Sequence, residues 1–201
     1  GSFLGQLALS HAYGSGGKDS CRNTAKAVSR LLYDVPIDHY LALTMDAIPV
    51  LADFVGGVTV HIEEDLTPAD PSFVQGADVT LTGLQALSFV RARQSVSDGT
   101  NLSRMGRQRT FINALYSKLL QTFQSGGENV ALRLSQAIAP YTTSDLSTDD
   151  LVSLSRRLSN YRFNGIETTP GTPDMGARYI EFHPDEKALQ SLVIKLFFSK
   201  V

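Results

Sequence analysis

The sequence has a single cysteine, no tryptophan and no long apolar run among its 201 residues. Cys21 has no second cysteine with which to form an internal disulfide or a cysteine-based metal cage. No stretch approaches the ~18 consecutive apolar residues of a membrane-spanning helix, so we expect no span in this chain. The first residues carry no positive charge, and we therefore expect no signal peptide.

An excess of charge of either sign is also missing. The sequence has 18 Lys and Arg residues and 20 Asp and Glu residues, which gives a net charge of −2. Domains that bind nucleic acid are usually basic, so this near-neutral charge predicts no nucleic-acid partner. It is compatible only with a basic patch at one place on the surface. The content of 42% hydrophobic and 19% charged residues excludes a disordered chain.

Helical and strand-like patterns alternate along the chain. The longest helical pattern covers residues 101–123, and the glycine pair 126–127 is expected to end it. The glycine pair 56–57 is expected to end a helix that begins at Asp46. Residues 58–62 alternate between apolar and polar, as a half-buried strand does, and a further strand is expected at about 161–168. This order predicts an α/β fold: a single layered domain over residues 1–201, with a mixed central β-sheet flanked by helices.

Arginine is concentrated in one part of the chain. Five of the twelve arginines lie within nineteen residues: Arg91, Arg93, Arg104, Arg107 and Arg109. The predicted helix over residues 101–123 contains no Asp or Glu that could pair with them along the helix. Cations in the first turns of a helix oppose its dipole, so this cluster is locally unfavourable unless an anion binds there.

Helical spacing divides these side chains between two faces. Arg104, Arg107 and Gln108 stand at i, i+3 and i+4 and share one face, whereas Arg109 points elsewhere. Guanidinium groups bind phosphate oxygens in a bidentate manner, so the set suits a diphosphate better than a single carboxylate. The alternative is a solvated face whose arginines pair with distant acids. Such acids are Glu63, Glu64 and Asp65.

The segment around the arginine cluster resembles a known family. Residues 81–93 read LTGLQALSFVRAR, and residues 98–109 read DGTNLSRMGRQR. Four shorter motifs precede them in the order of the family: His-Ala-Tyr at 11–13, Gly-Gly at 16–17, Pro-Ile-Asp-His-Tyr at 36–40 and Gly-Gly-Val at 56–58. In these motifs the chain is similar to the LytR–CpsA–Psr family, over roughly residues 8–123.

The resemblance implies an enzyme at the extracytoplasmic face of the membrane in cell-wall-building bacteria. Such an enzyme is a Mg²⁺-dependent phosphotransferase that moves a glycopolymer, such as teichoic acid or capsular polysaccharide, from a polyprenyl-pyrophosphate carrier to peptidoglycan. Its partners are the lipid-linked glycopolymer, peptidoglycan and the membrane. The alternative is a non-catalytic polyprenyl-phosphate-binding or regulatory module of the transcriptional attenuator type, although no helix-turn-helix pattern is present.

The resemblance also implies roles for individual residues. The residues expected to bind the pyrophosphate are Arg91, Arg93, Arg104, Arg107 and Gln108. Arg93 and Asp98 are expected to be catalytic. Asp98 is the only acid between Arg91 and Arg109, and it is expected to bind Mg²⁺, which prefers hard oxygen ligands.

Three departures from the family pattern affect this site. Asn101 stands where the family has an Asp, and Ala8 stands where it has a Lys. The N-terminal strands of the family, with an Arg-Asp motif whose acid helps to bind Mg²⁺, have no counterpart, so we expect this chain to lack them and the membrane anchor. An Asn caps a helix as well as an Asp does but is a weaker metal ligand, so Asp98 is expected to take over that role.

Other residues favour structural roles. His39 lies at a predicted strand start, where a hydrogen-bonded histidine is favoured over a ligand, and His61 has no second ligand at metal spacing. Leu115, Leu119 and Phe123 favour a helix–sheet core over a groove for the lipid chain, and both interpretations stay open at this point.

Overall fold

The computed structural model describes residues 16–92, 101–175 and 180–198. These residues form two compact units, one built from residues 41–166 and the other from the described residues before 41 and after 166. The prediction of one domain over residues 1–201 stays a prediction. No described helix combines the length and the apolar character that crossing a bilayer requires.

The described residues form six α-helices and six β-strands. The helices are α1 (Gly17–Leu31), α2 (Ala47–Phe54), α3 (Gly83–Arg91), α4 (Asn101–Ile138), α5 (Thr148–Leu158) and α6 (Glu186–Val193). The strands are β1 (Leu41–Leu43), β2 (Val58–His61), β3 (Asp78–Leu81), β4 (Thr142–Ser144), β5 (Gly171–Met175) and β6 (Ile180–Pro184). The predicted mixture of helices and strands in one α/β fold is confirmed.

The described strands pair as three separate antiparallel ladders, β1 with β4, β2 with β3 and β5 with β6. This arrangement differs from the mixed central sheet that the sequence predicts, since each described strand has a single partner and no described pair is parallel. Alternation along a sequence shows which face of a strand is buried, but it does not select the partner strand. The pairing therefore depends on how the connecting segments fold back.

The core of the 41–166 unit lies between the β2–β3 ladder and helices α2, α3 and α4. Alternate residues of β2 are buried, beginning with Val58 and Val60, so the alternation predicted for residues 58–62 is confirmed. Phe73 and Phe89 meet edge to face in this core, with ring centroids 5.8 Å apart. Burying one such side chain stabilises the fold by about 1.5–3 kcal/mol.

Helix α4 is 38 residues long and continues through the glycine pair 126–127, so the predicted end at this pair is wrong. A glycine in a helix interior costs about 1 kcal/mol relative to alanine. Residues on both sides of the pair nevertheless belong to one core, with Phe111 and Leu115 before it and Leu134 and Ile138 after it. Burial of these side chains outweighs the low helix propensity of two glycines.

The strand predicted at 161–168 is also wrong, because residues 162–170 have no regular secondary structure. The ladder in this part of the chain forms between β5 and β6, which pair from Gly171 with Pro184 to Met175 with Ile180. Pro173 is compatible with β5 because a strand of a two-stranded ladder has one edge that makes no ladder hydrogen bonds.

The second unit contains a small apolar cluster of its own. Its buried residues are Val35, Leu189 and Val193, with Leu31 and Leu32 packed against them. The turn that follows α1 is held by Tyr33, whose hydroxyl donates to Glu186 Oε2 at 2.8 Å. This hydrogen bond to a carboxylate raises the pKa of Tyr33 above its ordinary value.

Candidate functional site

The end of α3 presents the first arginine of the cluster. Phe89 and Val90 are buried in the core, whereas Arg91, the last residue of α3, has an exposed side chain. A cation in the last turn of a helix is favourable because the helix dipole places partial negative charge there. The packing of α3 therefore directs Arg91 to the surface.

The beginning of α4 is hydrogen-bonded to the end of α3. Gln108 Nε2 donates to the carbonyl oxygen of Val90 at 3.3 Å, and Arg107 Nη2 donates to the carbonyl oxygen of Ala92. The last carbonyls of a helix have no partner within it, so side chains from elsewhere satisfy them. The two acceptors lie immediately before and after Arg91, and the backbone of Arg91 is therefore held on both sides.

Arg107 forms a buried ion pair with Glu64 through its Nη1 and Glu64 Oε1. The Arg107 side chain is only 7% exposed, and that of Glu64 is 24% exposed. Within the part of the chain that the structure describes, the buried Nε of Arg107 has no hydrogen-bond partner. A buried charge is strongly unfavourable unless an opposite charge compensates it, so the burial of Arg107 depends on Glu64.

The loop after β2 places Glu64 under α4. The residues two before and two after Glu64, Ile62 and Leu66, are both buried in the core. The next residue, Asp65, accepts hydrogen bonds from the amide and the hydroxyl of Thr67, at 3.0 and 2.7 Å. These bonds hold the pKa of the Asp65 carboxyl below its ordinary value. The start of this loop is thus fixed by core packing and by a local turn.

A cavity of about 310 Å³ lies beside the ion pair. Its walls come from β2, the following loop, α3 and α4, and include Glu63, Glu64, Ser103, Gly106 and Arg107. The volume is at the lower end of the range of small-molecule sites, about 300–1,000 Å³. The polar residues of the wall and the arginine helix give this cavity the character of a candidate binding site.

The predicted division of α4 into two faces is confirmed. Arg107 is buried, Arg104 and Gln108 are half-buried, and Arg109 is exposed. Arg104 stands one helical turn before Arg107 and Gln108, on the face that meets α3 and the loop after β2. This face, and not the face of Arg109, therefore adjoins Arg91.

The model of the LytR_cpsA_psr family matches residues 5–196. The chain belongs to this family. The family predicted from the motifs around residues 81–109 is therefore confirmed. The ion pair and the cavity lie within the residues that the family model matches.

Known members of the family resemble the chain in sequence and in fold. The polyisoprenyl-teichoic acid–peptidoglycan teichoic acid transferase TagU of Halalkalibacterium halodurans is 32% identical over 154 residues, which are 77% of this chain and 47% of that protein. The chain therefore spans about half the length of this relative. TagT of B. subtilis superposes with a TM-score of 0.68 at 22% identity, over 95% of this chain and 70% of TagT.

A second solved structure carries a different description. The protein EF0465 of Enterococcus faecalis, described as a transcriptional regulator, superposes with a TM-score of 0.72 at 22% identity. The match covers 94% of this chain and 68% of EF0465. At this identity the likeness shows a shared fold, as it does for TagT.

The structure brings together part of the predicted pyrophosphate site. Arg107 and Gln108 bind the carbonyls of Ala92 and Val90, the two neighbours of Arg91, and Arg104 lies one turn earlier in α4. Arg93 and Asp98 lie outside the described residues, so the roles predicted for them stay predictions. The pyrophosphate-binding roles predicted for Arg91, Arg104, Arg107 and Gln108 also stay predictions.

For Arg107 the structure agrees with the alternative interpretation of the cluster, in which the arginines pair with distant acids. The absence of acids from residues 101–123 indicated either a bound anion or a partner from elsewhere, and for Arg107 this partner is Glu64. The sequence named Glu64 only as one of three distant acids. The sequence contained no signal that the carbonyls of Val90 and Ala92 would accept hydrogen bonds from α4, because a residue of any type supplies such an acceptor.

Among the described residues, no group of three His, Cys, Asp or Glu side chains comes together as a metal site. Glu64, which faces the cavity, already pairs with Arg107, and His61 pairs with Asp78 through Nδ1 and Oδ1 at 2.8 Å. The described residues by themselves therefore do not fit Mg²⁺. Asp98 as its ligand stays a prediction.

The three apolar residues of α4 for which a lipid groove was the alternative belong to the core. Leu115 is buried in the main cluster, and Leu119 and Phe123 pack against the same cluster. The interpretation as helix–sheet core is thus confirmed, and these three side chains do not line the cavity beside Arg107.

Proposed function

We propose that the protein transfers a glycopolymer, of the teichoic acid or capsular polysaccharide type, from a polyprenyl-pyrophosphate carrier to peptidoglycan. Membership of the LytR_cpsA_psr family supports this proposal, as does the similarity to TagU, a teichoic acid transferase. The observation that carries it is the arrangement of cationic side chains: the end of α3 and the start of α4 are hydrogen-bonded to each other at the arginine cluster.

In the proposed reaction, a hydroxyl group of peptidoglycan attacks the phosphorus atom that carries the sugar. The bond from this phosphorus to the bridging oxygen of the pyrophosphate breaks, polyprenyl phosphate leaves, and the hydroxyl proton passes to a base. Arg91 and Arg104 would bind the phosphate oxygens and stabilise the charge that develops on the leaving phosphate. Arg93 is proposed to act with them as a catalytic residue.

We propose Mg²⁺ as the cofactor, which would neutralise charge on the pyrophosphate. The described residues do not offer a set of ligands for it, so no step of the proposed reaction is assigned to the metal. Asp98 is the proposed metal ligand in this chain, because it is the only acid between Arg91 and Arg109. Carboxylate oxygens are the protein ligands that Mg²⁺ prefers.

The proposed location of the protein is the extracytoplasmic face of the cell membrane, where peptidoglycan and the lipid-linked glycopolymer meet. Its proposed partners are these two substrates and the membrane that contains the lipid carrier. The similarity to TagU, a teichoic acid–peptidoglycan transferase whose substrates belong to the cell wall, supports this location.

The arginine site is tested by transfer from a synthetic polyprenyl-pyrophosphate-linked donor to peptidoglycan fragments. Arg91→Ala is expected to lower kcat/KM by about tenfold or more, because a charge-assisted hydrogen bond contributes about 1.5–3 kcal/mol. Arg109→Ala, on the exposed face of α4, is the matched control and is expected to behave as wild type. Equal losses in both variants would indicate a diffuse electrostatic effect instead of a site.

The metal site is tested by an Mg²⁺ titration of the same reaction. Asp98→Asn is expected to abolish Mg²⁺-dependent turnover while leaving the melting temperature unchanged, because the change removes a charged oxygen ligand and keeps the size of the side chain. Turnover equal to wild type at every Mg²⁺ concentration would remove Asp98 from the site.

The second candidate function is a non-catalytic or regulatory module that binds polyprenyl phosphates. The observation that favours it is Asn101, which stands where an acid is expected from the family pattern. The two candidates differ in turnover: the second predicts that wild type binds the lipid-linked donor and transfers nothing, with or without Mg²⁺.

A further inference from the structure

We infer that Glu64 is a positioning residue for the arginine site, which acts through Arg107 on the backbone around Arg91. This inference rests on the proposed function, in which Arg91 binds the pyrophosphate of the donor. Glu64 has no role in that function as stated above, and it lies 43 residues before Arg107 in the sequence.

The argument begins with a chain of contacts from the loop after β2 to α3. Glu64 Oε1 accepts from Arg107 Nη1, and Arg107 Nη2 donates to the carbonyl oxygen of Ala92. Gln108, the next residue of α4, donates to the carbonyl oxygen of Val90. The backbone atoms before and after Arg91 are therefore both bound by α4, and one of these two bonds comes from the residue that Glu64 holds.

The burial of Arg107 makes this contact dependent on Glu64. The side chain of Arg107 is 7% exposed, so its charge is not stabilised by water to any large extent. Without the carboxylate, the guanidinium group would gain free energy by turning towards solvent, because a buried charge without a counter-charge is unfavourable. The donor to the Ala92 carbonyl would then be lost, and of the two side-chain hydrogen bonds from α4 described above only that of Gln108 would remain.

The exposed side chain of Arg91 is the part of the site that this change affects. A side chain on a fixed backbone loses less conformational freedom when it binds a ligand than one on a frayed helix end. Two N–H groups of Arg107 bind Glu64 and the Ala92 carbonyl, and its side chain is only 7% exposed, so the geometry assigns Arg107 to holding the backbone. The exposed Arg91 is then the residue of this pair that meets the ligand. Residues that orient direct ligands typically change affinity by about 10- to 100-fold when they are mutated at metal sites.

The experiment measures binding of farnesyl pyrophosphate by calorimetry and transfer kinetics with the lipid-linked donor. Glu64→Gln is expected to raise Kd about tenfold and to raise KM in the same proportion, with a smaller change in kcat. Asp149→Asn is the control, because it removes the same charge from the exposed first turn of α5, which does not line the cavity. It is expected to bind as wild type.

A double variant separates positioning from a general loss of stability. If Glu64 acts through Arg91, then Glu64→Gln has little further effect on Kd when Arg91 is already alanine. Full additivity of the two changes would overturn the inference. Melting temperatures are measured for every variant. If Glu64→Gln does not fold, Glu64→Asp replaces it, since it keeps the charge, shortens the reach to Arg107 and is expected to raise Kd as well.

The outcomes also separate this inference from the proposed function. No saturable binding by wild type, or equal binding by Arg91→Ala, would overturn the proposed function and this inference with it. Binding that Arg91→Ala weakens and that folded Glu64→Gln or Glu64→Asp leaves unchanged would overturn the role of Glu64 alone.

Discussion

At the scale of single residues, Arg107 connects three segments of the larger unit. Its guanidinium group contacts Glu64 in the loop after β2 and the carbonyl of Ala92 after α3, while its backbone belongs to α4. An ion pair of this kind contributes little beyond the cost of removing two charges from water, but loss of one partner is strongly unfavourable. Arg107 therefore holds these three segments together, although its ion pair makes only a small net contribution to the stability of the fold.

We predict that Arg107→Ala lowers the free energy of unfolding by about 2–3 kcal/mol, less than the ~3–5 kcal/mol of a fully buried pair. The smaller value is expected because Glu64 is 24% exposed and water can partly stabilise its charge. Urea unfolding measures the change. Arg109→Ala is the control on the same helix and is expected to stay within about 0.5 kcal/mol of wild type. If Arg107→Ala lowered the free energy of unfolding by less than about 0.5 kcal/mol, the result would show that the ion pair is not formed.

Spacing in the sequence predicted the face of each arginine but not its contacts. Positions i, i+3 and i+4 share a face in any helix, so Arg104, Arg107 and Gln108 were correctly grouped and Arg109 was correctly separated. Whether a grouped arginine meets a ligand or an acid depends on the residues opposite. For Arg107 this is Glu64, which comes from another element.

At the scale of elements, α4 shows how packing overrides local propensity. It continues through the glycine pair 126–127, although two adjacent glycines usually mark a helix end. The other predicted glycine stop behaves differently: Gly56 and Gly57 follow α2 with positive φ angles of 73° and 97°. Gly57 also leaves no room for a Cβ, which would lie 2.6 Å from the side chain of Thr80.

Two glycines of α4 allow a test of this balance. We predict that Gly106→Ala raises the free energy of unfolding by about 0.5–1 kcal/mol, because alanine favours the helix and the added Cβ meets no atom within 4 Å. Gly126→Ala is expected to gain less, because its Cβ would overlap Val130 Cγ2 and valine has one strongly preferred rotamer in a helix. Urea unfolding compares the two variants, and an equal or larger gain for Gly126→Ala would contradict this reasoning.

At the scale of the whole molecule, net charge separates the proposed transferase from a regulator that reads DNA. The chain has a net charge of −2, and five of its twelve arginines lie within one segment of nineteen residues. Non-specific affinity for DNA comes mainly from cations that contact phosphates, so a near-neutral protein binds duplexes weakly. Because EF0465, which shares this fold, is described as a transcriptional regulator, the affinity of this chain for duplex DNA is important to measure.

We predict that any binding to duplex DNA is independent of sequence and falls steeply with salt, with a Kd no tighter than about 10⁻⁶ M at physiological ionic strength. Fluorescence anisotropy with several unrelated duplexes measures it, with Arg109→Ala as a control for the exposed charge. Sequence-specific binding below this Kd would favour the regulatory function over glycopolymer transfer.

The sequence by itself determined the features that depend on local spacing and on short motifs. These are the mixture of helices and strands, the alternation in β2, the stop after α2 and the shared face of Arg104, Arg107 and Gln108. The ordered motifs also pointed to the LytR_cpsA_psr family, to which the chain belongs. Each of these properties follows from neighbours that are a few residues apart, so no knowledge of distant contacts is needed.

Only the tertiary structure decided the features that join distant segments. The antiparallel pairing of the strands, the continuity of α4 and the ion pair between Glu64 and Arg107 are of this kind. Glu64 could not be chosen over the neighbouring acids Glu63 and Asp65 from their order alone. Its choice depends on burial of Ile62 and Leu66, which directs the side chain between them towards α4, where a buried guanidinium group requires a negative charge.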